Sequence, residues 1–267
     1  MNGTRLAVAA AIVALAGLWG CGTGRSSPAA GGRSGTENGA GEITVFAASS
    51  LTEAFTDLGR ILERERPGTE VTFNFASSSD LALQIAEGAP ADVFAAADEE
   101  QMSVVDEAGR ASAPARFATN RLVVLTPADN PAGLDGYEDL TRAGVKLVVA
   151  APEVPAGAYA RRAFAKLDIA EAAERNVVSN EQDVKAVVTK VALGEADAGV
   201  AYVTDVTDAV EGDVRVIELP ENGEVTAVYP ITVLEGAPNV TGARAFVDLV
   251  TSERGRQVLE SFGFGPA

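Results

Sequence analysis

An α/β fold divided into two lobes is what this sequence predicts, on three observations. Strand-like and helix-like patterns alternate from Glu42 onward, which implies right-handed βαβ units built around mainly parallel sheets. A second alternating series begins near Arg121. The chain has 267 residues, more than one core usually organises, so it is expected to divide into lobes of roughly 100 residues each.

The first series reads as strand 43–47, helix 51–65, strand 71–75, helix 80–87, strand 92–96 and helix 98–108. In the first helix Leu51, Phe55, Leu58 and Leu62 fall on one stripe while Glu53, Asp57, Arg60 and Glu63 lie largely outside it, so the stripe packs on the sheet. The second series reads as strands 121–127 and 146–150, helix 157–167, strand 176–178, helix 183–193 and strand 197–202. An extended segment at 225–234 and helices at 240–250 and 252–262 complete the chain. Segments 121–127 and 225–234 are expected to cross between the lobes as hinges, with the last two helices returning to the first lobe. Lobe I is then 42–122 plus 230–267, and lobe II is 123–229. There is no internal repeat, Walker motif, GxGxxG after a strand or GxSxG elbow.

Composition excludes several functions. The formal charge of −17 argues against nucleic acid and anionic membrane surfaces, which need a basic footprint. The sequence contains no histidine, which removes Ser-His-Asp and Cys-His catalysis, histidine metal sites and the usual neutral-pH proton shuttle. The single cysteine, Cys21, excludes an intramolecular disulfide and any CxxC site. No cofactor is expected, and the protein is expected to be a monomer and not an enzyme.

Residues 1–20 carry one charge, Arg5, ahead of an apolar stretch from Leu6 to Trp19. That stretch is short for a bilayer span and has the pattern of a secretory signal peptide. Leu18-Trp19-Gly20-Cys21 resembles a bacterial lipobox, which implies lipidation of Cys21 as the mature N-terminus, although Trp19 stands where a small residue is usual. An ordinary signal peptide or an uncleaved anchor is the alternative. From Gly22 to Gly41 the chain is rich in Gly, Ser, Ala, Thr and Arg, the composition of a flexible tether. An extracytoplasmic, membrane-anchored location follows.

Two serine clusters, Ala48-Ser49-Ser50-Leu51 and Ala76-Ser77-Ser78-Ser79-Asp80, lie where a strand gives way to a helix. Helix-initial N–H groups lack internal partners and carry the positive end of the dipole, so neighbouring hydroxyls make an anion site of neutral donors. The plainer reading of each is a helix cap, with Asp80 available to cap the second helix and release a serine. Adjacent turns at the carboxyl ends of neighbouring parallel strands face one crevice, where open α/β sheets bind ligands. In the second lobe, Pro152 to Gly157 precedes a helix and can present bare N–H groups at Ala156 and Gly157, or is an ordinary Pro-rich turn. Asp183 is placed to cap a helix that opens at Val184, and Tyr202 ends a strand with a hydroxyl that either reaches the cleft or packs.

Five phrases together carry a resemblance: Ile43 to Leu51, Phe75-Ala76-Ser77-Ser78-Ser79, Gly88 to Phe94, Val154-Pro155-Ala156-Gly157 and Ala198-Gly199-Val200-Ala201-Tyr202. In this order they resemble the molybdate-binding proteins that feed ABC transporters, over 42–265. The resemblance implies a type II periplasmic-binding-protein fold that closes on molybdate or tungstate and delivers it to a membrane permease. It also implies an oxyanion held by Ser50 and Ser78 from the first lobe and by Ala156, Val184 and Tyr202 from the second. Ser49 replaces an alanine common in the family and adds a neighbouring hydroxyl.

A fully deprotonated dianion needs donors only, and hydrogen bonds to a charged acceptor contribute about 1.5–3 kcal/mol each. Phosphate carries a proton and favours a site with an acceptor. Sulfate, thiosulfate or another small anion is the competing cargo, and a serine-dependent hydrolase is the remote alternative.

Overall fold

The computed structural model describes residues 40–267; the signal-peptide and Cys21 expectations, and all but the last two residues of the tether, lie outside them. The first half contains strand β1 (Gly41–Ala48), a 3-10 turn (Ser49–Leu51), helix α1 (Thr52–Glu65), β2 (Thr69–Ala76), α2 (Ser78–Ala86), β3 (Val93–Ala95) and α3 (Glu99–Glu107). A long strand, β4 (Ala111–Pro127), leads to β5 (Leu147–Ala150), α4 (Pro155–Lys166), α5 (Ala170–Asn176), β6 (Val177–Glu181), α6 (Val184–Ala192) and β7 (Ala198–Tyr202). Then come β8 (Val214–Glu218), β9 (Thr226–Leu234), α7 (Val240–Thr251) and α8 (Glu253–Ser261).

The strands run in the order β2-β1-β3-β9-β4-β7-β5-β6, with β8 also on β4. β1 pairs parallel with β2 and β3, and β5 pairs parallel with β6 and β7. Between these parallel groups, β4 and β9 run antiparallel to each other from the Ala111–Leu234 pair to the Arg121–Thr226 pair. The fold is therefore two α/β lobes joined by a pair of crossing strands. β4 begins ten residues before the expected crossing at 121; Pro114 and Ala113, at φ 55°, interrupt its register near a bulge, and this irregular opening hides the strand pattern.

Alternation along β1 explains how its lobe is layered. Ile43, Val45 and Ala47 join the core beneath α1, whereas Phe46 points to the other face with Leu81, Ile85, Phe94 and Met102, as strand geometry requires. Phe55 of α1 is fully buried and meets the rings of Phe73, Phe117 and Phe246 at centroid distances of 6.5, 5.7 and 5.5 Å. Through Phe246 on α7, the C-terminal helices are tied to α1. In the other lobe all four residues of β5 and all five of β7 are buried, the signature of strands covered on both faces. Gly199 admits α6 to that face: a Cβ there would lie 2.7 Å from Val187 and 2.8 Å from Val191.

Two elements, β8 and α5, have no counterpart among the elements that the sequence pattern predicts. β8 is five residues with a weak alternation, and α5 is seven residues of mostly Ala and Glu without an apolar stripe. Both are held by neighbours more than by their own pattern. Because Phe55 joins helix, sheet and C-terminal helix, Phe55→Ala is expected to cost roughly 3–5 kcal/mol, readable as a lower midpoint in urea denaturation with an unchanged slope.

Candidate functional site

Each loop at the carboxyl end of a parallel strand turns into a helix here. After β1 the chain makes the 3-10 turn with Ser49 and Ser50 buried, and neither it nor α1 has a side-chain cap. Ser50 is thus not the helix cap: its Oγ lies 2.9 Å from the hydroxyl of Tyr229. After β2, Ser77 caps α2 by accepting from the Asp80 N–H at 3.1 Å. The expected cap at Asp80 is replaced by Ser77, and Asp80 sits within the first turn. This arrangement leaves Ser78 free of capping. Its Oγ accepts from the Ala97 N–H at 2.9 Å, so its own proton remains to be donated elsewhere.

In the other lobe α4 starts with Pro155 and has no side-chain cap. Proline at the first position has no N–H to lose, and the next amides, Ala156 and Gly157, have no acceptor within the helix. Gly157 is sterically required: a Cβ would lie 2.1 Å from the Ala151 carbonyl oxygen and 2.2 Å from that of Ala150. The missing side chain lets the helix start sit directly on the end of β5. α6 starts at Val184, with Asp183 accepting from the Ala186 N–H at 2.9 Å; the cap serves the third amide and leaves the first ones open.

All five residues, Ser50, Ser78, Ala156, Val184 and Tyr202, line one cavity between the lobes, with Ala48, Ser49, Ala76, Ser77, Ala97, Val154 and Pro155. No charged side chain is among these lining residues. The cavity has about 200 Å³ of empty space. That is room for one compact species, far below the size of pockets for organic ligands. A larger recess at the surface is bordered by Glu53 and Asp208, which disfavours an anion there.

Tyr202 supplies the strongest chemical signal. Its side chain is 1 % exposed and its hydroxyl has no hydrogen-bond partner among the described residues. Burial pushes its phenol well above the ordinary value, so at neutral pH it is a donor O–H. Leaving such a group unpaired costs about 1–3 kcal/mol, a cost that an acceptor in the cavity removes.

Beside the cavity a polar clasp spans the lobes. Lys185, next to Val184, bonds both carboxylate oxygens of Glu53 on α1 at 2.9 and 2.8 Å, and lies 3.9 Å from Asp205. Asp205 is 1 % exposed and accepts from the Tyr202 N–H at 3.0 Å. Burial raises its carboxyl to about 7, with Lys185 and the Tyr202 N–H opposing and Glu53 and Asp183 adding to the rise. Sequence reasoning identified none of Tyr229, Ala97, Lys185 or Asp205; only their partners across the fold give them a role.

The fold and this inter-lobe cavity define a two-lobed solute-binding protein whose ligand lies between the lobes. Residues 43–265 match the model of the bacterial extracellular solute-binding proteins, and the chain belongs to that family. It is 43 % identical over 253 residues, 94 % of this chain and 93 % of the relative, to the molybdate-binding protein ModA of Mycobacterium tuberculosis. Among solved structures, the periplasmic molybdate-binding protein of Azotobacter vinelandii superposes with a TM-score of 0.74 at 20 % identity, covering 84 % of this chain and 99 % of that one. The sulfate-binding protein SubI of M. tuberculosis gives 0.75 at 17 % identity, covering 85 % and 87 %. Membership in the family makes the protein an extracytoplasmic transport component, not an enzyme, and makes its ligand cargo rather than a cofactor.

Asp205 generates a pH prediction. Its folded value near 7 is above the ordinary 3.8, so the folded protein holds this proton more tightly than the unfolded chain. The associated stability is present below about pH 4 and is lost as pH rises through 7. Asp205→Asn is expected to remove this loss, gaining on the order of 3 kcal/mol relative to the parent between pH 4 and pH 8. Urea denaturation across that range checks it, and parallel profiles for the two proteins would refute the buried-acid assignment.

Proposed function

We propose that the protein captures molybdate, and tungstate with it, between its lobes and delivers it to an ABC transporter permease. The observation that carries this reading is the unpaired, buried Tyr202 hydroxyl on a cavity lined by neutral groups. A tetrahedral dianion without protons supplies acceptors on every side, and the site offers hydroxyls of Ser50, Ser78 and Tyr202 and helix-initial amides of Ala156 and Val184. Two helix N-termini add the favourable ends of their dipoles. The ModA relative at 43 % identity supports molybdate over sulfate; the sulfate-binding relative shares only the fold.

Lobe I, 42–122 plus 230–267, and lobe II, 123–229, act as the closing bodies. Donors from both surround one ion only when they meet, so the ion favours the closed form by its differential affinity. The closed shape is what the permease reads. Lipidation at Cys21, after removal of residues 1–20, holds a monomeric protein at the outer face of the cell membrane, and 22–41 is its tether.

Ser78→Ala and Tyr202→Phe are each expected to weaken molybdate binding roughly ten- to hundred-fold, one charge-assisted hydrogen bond's worth; in the ligand-free protein Ser78→Ala lowers the unfolding temperature by leaving the Ala97 N–H unpaired, and Tyr202→Phe raises it by removing an unpaired buried hydroxyl. Isothermal titration calorimetry measures this, and unchanged affinity in both variants defeats the site assignment. Millimolar sulfate is expected to leave molybdate binding intact. Competition on equal terms would transfer the cargo to sulfate.

A further inference from the structure

Four buried polar groups form a chain that runs from the crossing strands into the cavity. Asn120 on β4 is 4 % exposed, Tyr229 on β9 is fully buried, and Thr204, two residues after Tyr202, is 7 % exposed. The Asn120 side-chain oxygen accepts from the Arg121 N–H at 2.9 Å, which fixes the orientation of its amide. Its nitrogen therefore donates in two directions, to the Thr204 hydroxyl at 2.8 Å and to the Tyr229 hydroxyl at 3.3 Å. Tyr229, having accepted from Asn120, has its proton left to donate, and Ser50 Oγ stands 2.9 Å away. Asn120 offers Tyr229 only an N–H, so among the described hydrogen bonds the Tyr229 proton has Ser50 Oγ as its acceptor, and in that arrangement Ser50 accepts it. Its own proton then has no acceptor within the relay, and the cavity is where it is left to point.

We infer that Asn120 and Tyr229 are positioning residues which hold Ser50 as a hydrogen-bond donor toward the cavity and so bias the site to fully deprotonated oxyanions over protonated ones. This rests on the oxyanion reading proposed above and concerns residues that do not touch the ion. Hydrogen phosphate carries an O–H that must be accepted by something. One Ser50 lone pair is engaged by Tyr229 and the Ser50 proton is directed at the ion, so aiming the remaining lone pair at the same ion displaces the Ser50 O–H from it, at the cost of an unmade hydrogen bond. Molybdate meets the oriented proton without conflict. Because the relay also bonds Thr204 beside Tyr202, the same amide braces both sides of the cavity through the crossing strands.

The test is a double-mutant cycle on the full chain with Tyr229→Phe and Ser50→Ala, titrated with molybdate and with inorganic phosphate by calorimetry at one neutral pH. Tyr229→Phe is expected to weaken molybdate roughly ten-fold and to narrow the molybdate-to-phosphate affinity ratio. On the Ser50→Ala background the same change is expected to have no further effect on either quantity, because Tyr229 acts through Ser50. An unchanged ratio in Tyr229→Phe, or losses that add fully in the double variant, overturns the relay and assigns Tyr229 to packing. If Tyr229→Phe does not fold, Asn120→Ala is read in the same cycle with the same outcomes. A parent protein that binds sulfate in place of molybdate overturns the cargo reading alone, and the cycle is then read with sulfate. A parent that binds no oxyanion overturns both.

Discussion

Donors buried where water is scarce must find acceptors, and the architecture around the cavity follows from that requirement. Three hydroxyl-bearing side chains, Ser50, Ser78 and Tyr202, and the starts of two helices line one small space. Ser50 and Ser78 meet part of the requirement internally, Ser50 by pairing with the Tyr229 hydroxyl and Ser78 by accepting from the Ala97 amide. The Tyr202 hydroxyl meets none of it. In a chain with formal charge −17 the cavity lining holds neither acidic side chains nor lysine or arginine, so the polarity it offers comes from hydroxyls and helix-initial dipoles.

The crossing strands give this site its mechanical setting. β4 and β9 carry Asn120 and Tyr229 near the Arg121–Thr226 end of their pairing, and the lobes reach each other again through Lys185 and Glu53. These side chains are partly exposed, so the ion pair contributes modestly, about 0.2–1 kcal/mol.

Much of the fold was legible because it is local. The stripe of Leu51, Phe55, Leu58 and Leu62 and the alternation through Val45, Phe46 and Ala47 each express one periodicity, and the structure buries them accordingly. The five candidate residues were legible because each sits at a strand-to-helix turn with a recognisable phrase. Caps were read less well: a serine run before Asp80 offers several possible caps, and only backbone geometry selects Ser77. Tyr229 lies 179 residues from Ser50 and 109 from Asn120. No spacing rule connects them, and within β9 a tyrosine is an ordinary strand residue. β8 and the opening of β4 were missed for a related reason, since their pairing partner supplies the order that their own sequence lacks.

The helix starts at Ala156 and Val184 have an evolutionary corollary. A side-chain hydroxyl can be erased by one nucleotide change, but a main-chain N–H is lost only to proline. Ala156 is already alanine, so an alanine scan is blind to it, and Val184 exchanges freely with other residues as far as its amide is concerned. That half of the cavity is heritable as geometry instead of residue identity. Drift can rewrite much of the surrounding surface while Gly157, whose absent side chain seats the helix on β5, keeps the amides where they are; a new cargo would have to arise by moving helices or by altering the serines and the tyrosine.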